Sequence, residues 1–300
     1  MTFQPSYLEF CTNGGLDRRI KCFEKLYQSC TLCPHQCKID RFKNSTGFCK
    51  SGEKARVASF SPHFGEEAPL VGRNGSGTIF FSACNLRCVY CQNFEISQLH
   101  EGAEIEDEQL AKIMLSLQNQ GCHNINFVSP THVILPILRA LKTAIKLGLE
   151  LPLVYNSGGY DSVESLKVLE GIFDIYMPDI KYYENKSGNE LSEAENYPQI
   201  SQLAIKEMYR QVGDLKLTSD GIAYRGLLVR HLVLPGYSEE SKKIIDFIAS
   251  VSKKTFFNIM PQYRPRYKAF ECVKINKSLS MTEYNEVLEY AEKAGINIDQ

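Results

Sequence analysis

FFSACNLRCVYCQNFE, residues 80–95, places three thiols within eight positions, Cys84, Cys88 and Cys91, at the spacing C-x3-C-x2-C. The run before it, Thr78–Ser82, is apolar on successive residues, as a strand covered on both faces should be. Cys84 therefore leaves the carboxyl end of a strand. In parallel α/β architectures that is the end where ligands bind, so fold and site are read from one place.

Working outward, five more buried strands are expected at Asn124–Ser129, Leu151–Asn156, Phe173–Pro178, Leu227–Leu234 and Thr255–Ile259. Helical patterns lie between them. Leu110, Ile113, Met114 and Leu117 keep the i, i+3, i+4, i+7 spacing before a stop at Gly121. Val163, Leu166 and Leu169 follow an Asp161…Glu164 capping pair, and Ser280…Glu283 opens a last helix that stops at Gly295. Six strand–helix units in succession predict a parallel sheet with right-handed crossovers. Six are too few for a closed eight-stranded barrel, so the expected fold is α/β, a partial (β/α)6 barrel over residues 61–300. Residues 1–60 are expected to form a separate small Cys-rich segment, poor in apolar runs and in need of a metal to hold it. The polar stretch 184–201 reads as a surface excursion. GRNGSG (72–77) precedes a strand instead of opening a helix, which removes the dinucleotide-loop reading.

Composition narrows the class. The chain has 300 residues, is 43% hydrophobic and 23% charged, and carries a formal net charge of -1, which gives no electrostatic reason to expect nucleic acid or an anionic membrane. No run approaches the ~18 apolar residues of a membrane span, and the first residues lack the basic start and apolar run of a signal peptide. A cytoplasmic location is expected, where eleven cysteines should not form disulfides. Seven of them fall in two groups, which points to metal ligands. Cys11, Cys22, Cys122 and Cys272 read as isolated small apolar residues.

Thiolates are soft ligands that select zinc, copper(I) or iron–sulfur clusters. An iron–sulfur cube held by three cysteines leaves one iron free to take a small molecule. A zinc ion with a distant fourth ligand, His123 or His132, is the alternative. Cys84-Asn-Leu-Arg-Cys88-Val-Tyr-Cys91, with Tyr90 before the last cysteine, resembles the signature of the radical S-adenosylmethionine (radical SAM) superfamily. Over about residues 75–270 the chain is most similar to activating enzymes of glycyl-radical enzymes, typified by pyruvate formate-lyase activating enzyme. The resemblance implies a [4Fe–4S] cluster on Cys84, Cys88 and Cys91, with S-adenosylmethionine chelated to the free iron. It implies reductive cleavage to a 5′-deoxyadenosyl radical that abstracts a hydrogen atom, an electron donor such as flavodoxin or ferredoxin, and a glycyl-radical protein as partner. A small molecule or peptide is the other substrate class, and a non-catalytic zinc or iron–sulfur module is the reading from outside enzymology.

Other strand ends extend the resemblance. YNSGGYD offers Asn156 and Ser157 to the cofactor, and Tyr90 and Asn93 do so from the cysteine loop. MPDIKYY resembles a Leu-Asp-Leu-Lys segment and puts Asp179 and Lys181 on one side of a strand as candidate catalytic residues. VRHLVLPG offers Arg230, whose planar fork suits a carboxylate, while His231 faces the opposite side and reads as a packed histidine. Gln262, Arg264, Arg266 and Lys268 read as a solvated loop. One departure stands out. Ser129-Pro130-Thr131-His132 replaces the family's Gly-Gly-Glu type turn, leaving Ser129, Thr131 or the backbone carbonyls to take over cofactor contacts. Finally, Cys30, Cys33, Cys37 and Cys49 form C-x2-C-x3-C-x11-C, a set suited to a closed structural zinc site or, alternatively, a second iron–sulfur cluster.

Overall fold

Nine strands make one sheet: β1 (Ala55–His63), β2 (Ser76–Phe81), β3 (Ala103–Ile105), β4 (Ile125–Val128), β5 (Leu153–Ser157), β6 (Ile175–Pro178), β7 (Lys216–Leu217), β8 (Ala223–Leu232) and β9 (Phe256–Met260). They are described by a computed structural model covering residues 3–43 and 45–298. The spatial order is β3-β1-β2-β4-β5-β6-β8-β7, with β9 also on β8. All six expected strands are present and run parallel: β2, β4, β5, β6, β8 and β9. The pairing leaves β2 and β9 apart, so the barrel is partial and open. β5 and β6 are buried at every residue, as their unbroken apolar runs require.

The helices start and stop where the capping chemistry puts them. Glu106 and Gln109 form a capping box for Asp107–Asn119, and Gly121 follows at φ 86°. Ser280 and Glu283 cap Met281–Ala294, which ends on Gly295 in the left-handed region. Two expectations are corrected. The cap of Val163–Val168 is Ser162, because Asp161 is drawn inward to accept bonds from Ser157, Thr131 and Tyr155. The stretch 184–201 is not a surface excursion. It forms Asn185–Ser192 and the start of Tyr197–Val212, and buries Leu191, Ser192, Ala194 and Tyr197.

The amino-terminal segment joins the same core. Helix Gly15–Gln28 buries Leu16, Ile20, Phe23 and Tyr27. Ser6 donates to Asp174 and Tyr7 to the Leu151 carbonyl, both just before a strand, so this segment closes the amino ends of β5 and β6. The expected boundary at residue 60 falls inside β1, which pairs with β2 and β3. The side chain of Cys11 lies outside the described residues; Cys122 is buried as expected, Cys22 is exposed and Cys272 is half-buried. Among the described residues no helix is long and apolar enough to cross a membrane.

Candidate active site

In-register pairing aligns the carboxyl ends of the central strands. Phe80 lies beside Val128, Val128 beside Asn156, Ser157 beside Pro178, and an isolated bridge sets Asp179 beside Arg230. Side chains from one layer thus converge, although their sequence positions span 150 residues. The cysteine loop leaves β2 through Ala83, which is held at φ 71°. A non-glycine residue there costs of order 1–3 kcal/mol and persists only where its surroundings fix it. Those surroundings are visible. The Arg87 and Val89 amides donate to Ser192 and Leu191, Asn85 Nδ2 donates to the Tyr160 carbonyl at 2.6 Å, and His35 bonds the Asn85 carbonyl at 2.9 Å.

Between the loop and the strand ends lies a cavity of about 440 Å³. Cys84, Cys88, Cys91, Tyr90 and Asn93 line it from the loop side. Ser129, Asn156, Ser157, Asp179, Lys181 and Arg230 line it from the strands. Eleven of the expected residues thus line one cavity. Thr131 does not reach it, because its hydroxyl donates to Asp161 at 2.7 Å beneath the strand ends. Gln262, read as part of a solvated loop, does line the cavity. His123 and His132 do not; His132 is buried and bonds the Ser82 carbonyl at 2.9 Å, which removes both as partners for the three thiols.

The strand-end groups are mostly committed to one another. Arg230 donates to Asp179 at 2.9 Å, to Asn156 at 2.7 Å and to Glu66 at 3.3 Å. Its fork, expected to grip a ligand carboxylate, is engaged here with these three side chains. Lys181 and Asp179 pair at 2.6 Å. Burial would raise the Asp179 carboxyl, but Arg230 and Lys181 outweigh it and hold it below the usual range. Burial would lower the Lys181 ammonium; Asp179 and then Cys88 reverse that and keep it charged. Ser157 donates to Asp161 at 2.6 Å, and His231 bonds the Ile180 carbonyl and Ser241, a packed histidine as expected. Gly159, at φ 76°, is required by the turn, because a Cβ there would lie 2.1 Å from the Asp179 carbonyl.

Several partners were not legible in the chain. Glu66 and Glu67 approach Arg230 from the segment after β1, and Ser192 donates to Cys88 Sγ at 3.0 Å. Tyr90, Tyr182 and Ser192 form a hydroxyl chain of 2.7 and 2.6 Å that ends on that sulfur. In the Ser129–Val133 turn, Ser129 adopts φ 59° and its amide donates to the Asn156 carbonyl. The serine thus reaches a left-handed conformation that glycine adopts without strain.

A family model described as the radical SAM superfamily matches residues 78–248. The chain belongs to this superfamily. It is 34% identical over 306 residues to the uncharacterized protein MJ0674 of Methanocaldococcus jannaschii, covering 99% of this chain and 84% of that one. Among solved structures, Streptococcus suis SuiB bound to S-adenosylmethionine matches with a TM-score of 0.51 at 13% identity, over 72% of this chain and 48% of SuiB. SuiB bound to precursor peptide SuiA gives 0.50 at 14%, over 72% and 46%. Native anSMEcpe with bound AdoMet and Kp18Cys peptide gives 0.50 at 13%, over 72% and 60%. These likenesses establish the fold; the chain spans about half the length of the SuiB chains.

Membership of the radical SAM superfamily implies a [4Fe–4S] cluster and S-adenosylmethionine. The donor set fits. Three thiols line one cavity, and burial pushes the Cys84 thiol up to about 12 and raises Cys88, so thiolates here call for a metal's positive charge. Each sulfur is turned to a local partner, Asn85, Ser192 or Ser97. Accordingly, among the described residues no three His, Cys, Asp or Glu side chains converge closely enough to share an ion.

Proposed function

We propose that Cys84, Cys88 and Cys91 hold the [4Fe–4S] cluster and that S-adenosylmethionine occupies the cavity above the strand ends. The observation that carries this reading is the single cavity lined by all three thiols and by Ser129, Asn156, Asp179 and Lys181. When bound, the cluster supplies the electron for reductive cleavage of S-adenosylmethionine. The protein's part is to enclose and orient. Asn156 and Ser129 present polar groups to the cofactor, Arg230 holds Asn156 and Asp179 in place, and the charged Lys181 offsets thiolate charge near Cys88. Anaerobic reconstitution with iron and sulfide is expected to give charge-transfer absorbance that is lost on replacing the three cysteines by Ala. Dithionite and S-adenosylmethionine should then release 5′-deoxyadenosine. No release from a fully reconstituted, reduced sample overturns the reading.

For the hydrogen donor, the MPDIKYY and VRHLVLPG segments support a glycyl-radical protein. The Ser129-Pro130 turn, a departure from those activating enzymes, favours instead a small molecule or peptide. Incubation in deuterated substrate mixtures, with deuterium traced into 5′-deoxyadenosine, separates the two.

Cys30, Cys33, Cys37 and Cys49 we assign to a structural zinc site. The Phe48 amide donates to Cys37 Sγ at 3.4 Å, and Gly47 packs so closely on that sulfur that a Cβ would lie 2.6 Å from it. Amide-to-sulfur bonds in a tight turn suit a thiolate ligand. Iron in place of zinc, measured with and without these four cysteines, would establish a second cluster instead.

A further inference from the structure

The loop between Cys84 and Cys88 is gripped from the cysteine-rich segment, by two aromatic residues that lie among its cysteines. His35 sits between Cys33 and Cys37, and Phe48 precedes Cys49. Their rings stack at 3.7 Å and 17°. A carbonyl oxygen can only accept, so His35 Nε2 donates to the Asn85 carbonyl at 2.9 Å. The Phe48 carbonyl accepts from Arg87 Nη2 at 3.3 Å, and the Arg87 guanidinium lies over the Phe48 ring at 4.3 Å. Asn85 and Arg87, the two polar residues between Cys84 and Cys88, thus both bear on one pair of rings. Asn85 is tied on its other side as well, since its Nδ2 donates to the Tyr160 carbonyl and the Tyr160 ring meets His35 edge-on at 5.2 Å. Asn85 is buried, so losing His35 would leave its carbonyl unpaired in a dry environment.

The peptide that His35 holds is the one that reaches a sulfur. The Asn85 carbonyl and the Leu86 amide belong to one planar unit, so fixing the oxygen fixes the direction of the N–H. That N–H donates to Cys84 Sγ and favours its thiolate. On the far side, the His35 amide does the same for Cys33 Sγ, and the Leu32 amide for Cys30. A single run of hydrogen bonds therefore joins the two cysteine sets: Cys33 Sγ, the His35 amide and imidazole, the Asn85–Leu86 peptide, Cys84 Sγ. The turn that carries His35 is closed by the Gln36 amide on the Cys33 carbonyl at 3.0 Å, with Gln36 at φ 41°. Hydrogen bonds in series polarise one another, so the imidazole strengthens the amide-to-sulfur bond as well as aiming it. Donors to ligand sulfur are one of the levers that set the potential of an iron–sulfur group.

We propose that His35 is a positioning residue of the radical site: by holding the Asn85–Leu86 peptide it aims the Leu86 amide at Cys84 Sγ and raises the reduction potential of the group bound there. This role rests on the assignment of the cluster to Cys84, Cys88 and Cys91. It gives the cysteine-rich segment a part in the chemistry, as the scaffold that orders His35. No bond forms or breaks along the run and no electron passes through it; it acts on the cluster through geometry and field.

The test uses the full chain, reconstituted anaerobically with iron and sulfide, and reads the reduction potential by electron paramagnetic resonance during a dithionite titration. His35→Phe keeps a ring for Phe48 and removes the donor. It is expected to lower the reduced-to-oxidised ratio at a given potential by about threefold, which for one electron is a shift of roughly 30 mV to more negative values. His35→Gln, which brings an amide N–H to the place of Nε2, should restore most of that ratio. Iron, zinc and melting temperature should match the parent in both variants. Phe48→Leu frees the imidazole without touching its donor and should shift the ratio the same way by about twofold, which keeps the test open if His35→Phe does not fold. A potential unchanged in His35→Phe or, failing that chain, in Phe48→Leu overturns the proposal. So does a shift equally large in His35→Gln, since the ring and not the donor would then be responsible. Zinc lost with His35 overturns it too, by making His35 a ligand. A parent that takes up no cluster overturns the cluster assignment and this role with it, whereas a parent with its cluster and an indifferent His35 overturns the role alone.

Discussion

Arg230 ties three strand ends together, since its guanidinium reaches Asp179, Asn156 and Glu66 at once. Two cations, Arg230 and Lys181, sit among three carboxylates, Asp179, Glu66 and Glu67. Burial raises the Glu66 carboxyl despite Arg230 beside it. Removing one member of such a set leaves its partners buried and unpaired. Asp179→Asn should therefore destabilise the fold by about 3 kcal/mol in urea unfolding and also depress 5′-deoxyadenosine release. The pH dependence follows from the same groups. Asp179 is held below its usual range, so its stabilisation is full above the ordinary carboxylate range and is lost as pH falls through its lower folded value. Burial lowers His132 and His231 to about 4, so both stay neutral when folded while the unfolded imidazoles take up protons below about 6.5. The histidines' share of the stability should thus fall as pH drops from about 6.5 towards 4, against an opposite contribution from Asp107 and Asp174, which burial raises to about 6, and His231→Gln should make the parent-minus-variant difference shrink by about 3 kcal/mol over that window. A difference between parent and His231→Gln that is independent of pH across that window would contradict it.

Among the elements, the six parallel strands were legible because each is covered on both faces and so reads as an unbroken apolar run. The flanking antiparallel strands were not. β1 carries Ser59, Phe60 and Ser61 exposed, and β7 has only two residues, so neither imposes a pattern on its sequence. The helix Asn185–Ser192 escaped for another reason: its mean composition is polar, and of its buried residues, Ser187, Gly188, Leu191 and Ser192, only Leu191 is a large apolar side chain. The spacing of Leu191, Ala194 and Tyr197, with Pro198 opening the next helix, was the available signal. This helix end has a testable function. Its Leu191 and Ser192 carbonyls fix the Val89 and Arg87 amides, and the Ser192 hydroxyl donates to Cys88 Sγ. Leu191→Ala should cost roughly 2–4 kcal/mol through the space it leaves. Ser192→Ala should be milder in stability, and should shift the reduction potential of the reconstituted protein to a more negative value, since hydrogen bonds to ligand sulfur stabilise the reduced state. An unchanged potential would remove Ser192 from the ligand environment.

Taken whole, the molecule is less divisible than its composition suggests. The Cys-rich stretch looked separate because it has few apolar residues of its own, yet flanking residues anchor it. Leu32 enters the main core, and the Leu32 carbonyl accepts from Ser165. Arg41 is fully enclosed, donates to the Gly52 carbonyl at 3.0 and 2.6 Å and to the His132 carbonyl at 2.7 Å, and stacks on Tyr27 at 4.1 Å. No carboxylate neutralises it in those contacts; two backbone carbonyls and a ring face do so instead. His132 belongs to the turn after β4, so Arg41 joins the cysteine segment to the strand-end layer of the site. Met fills a similar volume but carries none of the donors, and Arg41→Met would strand both carbonyls in a dry environment at about 1–3 kcal/mol each. The expected result is one cooperative unfolding transition at a lower midpoint, with proteolysis near residue 50 and loss of cluster iron appearing together. Were the segment independent, its protection would vanish while the barrel kept its midpoint and its iron.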